Sequence, residues 1–142
     1  MRYSVVVDPE VVDEVLNGLS PFNLSNDIKN IKKEVHRFSL EDIAEEVANE
    51  IMCGPHGKTY CIIYVCKQDH NINYSKIRTD DFERKKGKSN GYRVIVLIDH
   101  NSKYAFILHI YRHGTGPDNL SNKERNALEQ VVEEYSNSLN AN

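Results

Sequence analysis

The chain has 142 residues, 18 Lys and Arg against 21 Asp and Glu, and a formal net charge of −3. That length suits a single domain over 1–142, and no stretch nears the roughly 18 consecutive apolar residues that a membrane-spanning helix needs. The opening Met1 to Asp8 holds a three-valine run before an acid, which predicts no export signal, and the three cysteines show no CxxC spacing, so a cytoplasmic protein with reduced thiols is expected.

Tyr3 to Val7 is rich in β-branched residues and predicts a strand. Asp8-Pro9-Glu10 then opens a helix, with a capping acid, a proline suited to the first turn and an acid at the positive dipole end. Val11, Val12, Val15, Leu16 and Leu19 follow at helical spacing until Gly18, Ser20 and Pro21 stop it. Ser25 is placed to cap a second helix carrying Ile28, Ile31 and Val35. Ser39 and Asp42 have capping-box spacing before a stripe of Leu40, Ile43, Ala44, Val47, Ala48 and Ile51. Whether these last two segments are one broken helix or two stays open at this level.

From Thr59 the period changes. Thr59 to Cys66, Tyr74 to Thr79 and Gly91 to Asp99 read as strands, and Lys103 to Tyr111 returns through His100-Asn101-Ser102 as an antiparallel hairpin. Ser121 and Glu124 repeat the capping-box spacing, and Leu128, Val131, Val132, Tyr135 and Leu139 give a final helix one apolar stripe. The order predicts an α+β fold, a small antiparallel sheet packed by N-terminal helices and a C-terminal helix, with the helices on one face.

Charge is segregated along this order. Residues 1–50 carry 5 basic and 11 acidic side chains, residues 51–116 carry 11 and 5, and residues 117–142 carry 2 and 5. A cationic surface on an acidic protein suits a polyanion. Lys76, Arg78, Arg84, Lys85, Lys86, Lys88 and Arg93 concentrate that charge. Arg93 stands inside an apolar strand on the face of Ile95 and Leu97, where it needs an anion such as phosphate, a carboxylate, or the open edge of the sheet. His109 and His113 have H-x-x-x-H spacing, but on a strand they lie about 13 Å apart, so neither a metal nor another cofactor is expected. Tyr111, Arg112 and His113 end the strand beside a glycine break, a mixture able to stack on a base, neutralise a phosphate and move a proton.

The run Lys88-Ser89-Asn90-Gly91-Tyr92-Arg93-Val94-Ile95-Val96-Leu97-Ile98-Asp99, then Lys103 to Arg112, then Asn119-Leu120-Ser121, resembles the RelE/ParE superfamily of bacterial toxins. Members of that family show a G-x-R-V-I-Y strand, a hairpin turn, a strand ending L-x-x-Y-x-K and a Leu-Ser helix start. Tyr3 to Leu19 is similar to the family's first strand and helix. The resemblance implies the toxin of a toxin–antitoxin pair, a metal-free endoribonuclease cutting mRNA, in many members on the ribosome, and neutralised by a cognate antitoxin. The alternative it implies is a non-enzymatic toxin of the same fold that inhibits a protein such as DNA gyrase.

Position by position, Arg93 matches the strand arginine. Tyr111 and Arg112 fall at the Y-x-K end, with His113 in the cationic position; these four are the expected catalytic residues. Lys76 and Arg78 resemble the basic pair of the preceding strand, and with Lys85, Lys86 and Lys88 they are the expected RNA contacts. The expected arrangement brackets the scissile phosphate between Arg93 and Arg112. The chain departs from the family in its extra length between Phe22 and Tyr74, an insertion or elongated helical region, and in its acidic balance.

Overall fold

In a computed structural model, residues 2–79, 91–113 and 119–140 are described. β1 (Ser4–Val6) leads into α1 (Pro9–Val15), whose N-cap Asp8 accepts a hydrogen bond from the Glu10 amide. α2 (Leu24–Glu34) and α3 (Leu40–Cys53) are separate helices, because Val35 adopts an extended backbone and Ser39 starts a fresh N-cap. The cap of α2 is Asn23 rather than Ser25; its side chain accepts from the Asn26 amide. β2 (Tyr60–Val65), β3 (Ile72–Thr79), β4 (Tyr92–Asp99) and β5 (Tyr104–Arg112) follow, then α4 (Asn122–Asn140). Ser121 and Glu124 form the reciprocal box at its start: the Ser121 amide donates to the Glu124 carboxylate, and the Glu124 amide donates to the Ser121 hydroxyl.

The strands make one five-stranded sheet in the order β1-β5-β4-β3-β2. β2 to β5 are antiparallel, as expected, but β1 joins the edge of β5 in parallel, so the sheet is mixed. Ser4 to Val6 pair with Tyr104 to Phe106 only, which leaves the upper edge of β5 to other elements. Lys103 belongs to the turn rather than to β5; its φ of 62° takes the left-handed bend.

Both faces of the sheet are covered, which corrects the expectation of helices on one side. Ile31, Val35, Ile43, Val47 and Ile51 of α2, α3 and the link between them pack on one face with Val94, Val96, Ile98, Ile107 and Ile110. Val12 and Leu16 at α1, and Leu128, Val131, Val132 and Tyr135 of α4, pack on the other with Tyr74, Ile95, Leu97 and Leu108. The physical cause is visible in β4, where every residue is buried. An uninterrupted Val-Ile-Val-Leu-Ile run cannot leave either face in water. Residues 22–74 supply α2, α3, β2 and the start of β3, and much of the first core. No helix among the described residues is long and apolar enough to cross a membrane.

Candidate functional site

Register fixes which expected residues meet. Arg78 of β3 stands opposite Arg93 of β4, and Arg93 stands opposite Tyr111 of β5. Direct partners in an antiparallel pair project to the same face, so the three side chains form a row on the face of Ile95 and Leu97. Lys76, opposite Ile95, lies on that face one pair further in. His113 follows β5, and its amide donates to the Gly91 carbonyl across the mouth of the β4–β5 hairpin. Its ring closes on the row, since Nη2 of Arg93 donates to Nδ1 of His113 at 3.0 Å.

That hydrogen bond sets the imidazole. A guanidinium has only donors, so Nδ1 holds the lone pair and Nε2 carries the proton. Arg93 is 2% exposed, whereas Arg78, Tyr111 and His113 are half-buried. Arg93 therefore positions His113, and Arg78 presents the more accessible cation. Nε of Arg78 is buried with no hydrogen-bond partner. A second guanidinium stands directly opposite, so two arginine side chains share this face side by side.

Arg112 does not join it. It pairs with Tyr92, on the face covered by α2 and α3, and its Nη1 donates to Glu34 at 2.8 Å. The expected bracket of one phosphate between Arg93 and Arg112 is therefore absent: alternation along β5 turns Arg112 away from Tyr111, and an acid of α2 holds it. Lys85, Lys86 and Lys88 lie outside the described residues. Among the described residues, no group of three or more His, Cys, Asp or Glu is disposed to hold a metal ion.

Asp27, Phe22 and His109 meet at the edge of β5, a cluster that no sequence pattern signalled. Asp27 of α2 reaches the edge of β5 above the end of β1. Its Oδ2 lies 2.7 Å from Nδ1 of His109 and accepts from the Ile110 amide at 3.3 Å. Phe22 stacks on the His109 ring, with centroids 3.9 Å apart and planes 4° from parallel, and the Tyr111 ring lies 5.1 Å away. No spacing signal could have revealed a pair separated by 82 positions. A groove of about 280 Å³ between α2 and β5 is lined by Asp27, Asn30, His109, Tyr111 and Arg112 among others.

The chain matches no protein-family model, no curated protein and no solved structure.

Proposed function

We propose that the chain is an RNA-directed toxin of the RelE/ParE type, acting in the cytoplasm as a metal-free endoribonuclease and restrained by a cognate antitoxin. The observation that carries this reading is the row Arg78–Arg93–Tyr111 closed by His113 at the open end of the sheet. Arg78 offers charge to the non-bridging oxygens of a phosphodiester, His113 offers the Nε2 proton as a fixed donor, and Tyr111 offers a ring. RNA carries its own nucleophile, the ribose 2′-hydroxyl, so such a site need only hold the phosphate and move protons. The acidic α3, with Glu41, Asp42, Glu45, Glu46 and Glu50, packs on the opposite face of the sheet from this row.

The test is cleavage of a purified transcript by the purified chain with EDTA present. Fragments ending in 2′,3′-cyclic phosphate are expected, and Arg78→Ala and His113→Ala should each slow their formation at least tenfold. Intact RNA would reject the reading.

One observation favours the non-enzymatic alternative: Nδ1 of His113 accepts from Arg93, so this ring as placed does not take up a proton there. Inhibition of gyrase supercoiling with RNA left intact would select it.

A further inference from the structure

The RNA-cleaving reading lacks a proton acceptor, and the structure holds one outside the cationic row. We infer that His109 is the general base of the site and Asp27 its positioning residue; this rests on the reading above.

Asp27, as a carboxylate, only accepts, so Nδ1 of His109 carries the proton and Nε2 carries the lone pair. Nε2 makes no hydrogen bond among the described residues, and the side chain is 19% exposed. This is the reverse of His113, whose Nδ1 lone pair is occupied by Arg93. The two rings thus hold opposite tautomers suited to opposite tasks. Orientation of His109 is fixed three ways: Asp27 holds Nδ1, Phe22 stacks on the ring, and the Tyr111 ring lies beside it. Asp27 is fixed in turn by the Ile110 amide, a β5 edge donor left without a β1 partner.

Tyr111 joins the two halves. It is the direct register partner of Arg93 on one side and the ring neighbour of His109 on the other, and it lines the groove that Asp27 and His109 also line. A nucleotide seated over Tyr111 places its phosphate toward the arginines and its ribose toward His109. In the step, Nε2 of His109 takes the 2′-hydroxyl proton as the 2′-oxygen bonds to phosphorus. The bond from phosphorus to the 5′-oxygen breaks, and the departing oxygen takes a proton from solvent. The products are a 2′,3′-cyclic phosphate and a 5′-hydroxyl, and His109 later returns its proton to water.

The experiment is single-turnover cleavage of a short RNA by the full chain, for the wild type, His109→Gly, His109→Gln and Asp27→Asn. His109→Gly should lose about 10²-fold or more of the rate, the usual scale for removing a general base. Added imidazole should restore at least tenfold, because the slot beside Phe22 and Tyr111 accepts a free ring; a merely structural histidine would show no such rescue. Asp27→Asn should lower the maximal single-turnover rate with the half-saturating enzyme concentration unchanged. A wild type that cleaves alongside a His109→Gly variant within threefold of its rate overturns the inference and leaves the reading intact. Should His109→Gly fail to fold, His109→Gln decides in the same way, full activity overturning the inference. A wild type that leaves RNA intact overturns both.

Discussion

Arg78 and Arg93 stand directly opposite each other on adjacent strands, two guanidinium groups on one face of the sheet. Like charges in this relation destabilise an antiparallel pair, by about 0.2–1 kcal/mol. Arg78→Gln should therefore stabilise the fold by up to about 0.5 kcal/mol and, on the proposed function, weaken RNA binding. Urea unfolding at low and moderate ionic strength checks the first part, with the gain shrinking as salt screens the repulsion. Equal stability at every salt concentration would show that the row carries no charge strain.

The ion pair of Arg112 with Glu34 carries the opposite expectation. The arginine side chain is 7% exposed and the glutamate 65%. Removing the acid takes one partner from a largely buried cation, but the exposed glutamate is screened by water. Glu34→Ala should cost about 1 kcal/mol, less in high salt, read from the same unfolding curves.

At the far end of the sheet, the Tyr135 hydroxyl donates to Oδ2 of Asp99 at 2.7 Å, while Oδ1 of Asp99 accepts from the amides of Asn101 and Ser102. One carboxylate thus ties α4 to the β4–β5 turn. Tyr135→Phe should cost about 1.5–3 kcal/mol, the range for a buried hydrogen bond to a charged group, and Tm should fall accordingly.

Acid should weaken the fold at two groups. Burial, then Lys103, holds the His100 imidazole below its ordinary value, against the pull of Asp99. The unfolded chain therefore binds that proton more readily, and stability present above about pH 6.5 is lost as pH falls below it. Burial pushes the Glu133 carboxyl up, but hydrogen bonds from the Tyr64 hydroxyl, the Lys67 amide, Gln68 and Cys66 outweigh it and hold the group below its ordinary range. Its contribution is complete above pH 4.5 and fades as pH falls through the lowered folded value. His100→Asn should flatten the first loss and Glu133→Gln the second, measured by thermal melts across pH.

Local chemistry made the elements legible. The Asp8, Ser39 and Ser121 caps, the β4–β5 hairpin and the face shared by Arg93, Ile95 and Leu97 follow from short-range patterns. Two features depend on tertiary context instead. The unbroken apolar run of β4 signals two covered faces, whereas the order of elements suggested one. Asn23 caps α2 in place of Ser25 because either residue suits the cap chemically, and only the packing of Leu24 into the core decides between them. In the candidate site, charge density drew attention to the sheet end, where register sets Arg78, Arg93 and Tyr111 in one row, but strand parity separates Tyr111 from Arg112. The Asp27–His109 pair depends on where α2 meets the uncovered edge of β5, which no local pattern encodes.

The central claim is that this cationic row acts on RNA inside cells. Inducing the chain in bacteria and mapping transcript ends tests it most directly. Growth arrest should coincide with new transcript ends, and both should vanish with His113→Ala. Arrest with transcripts intact would contradict the account.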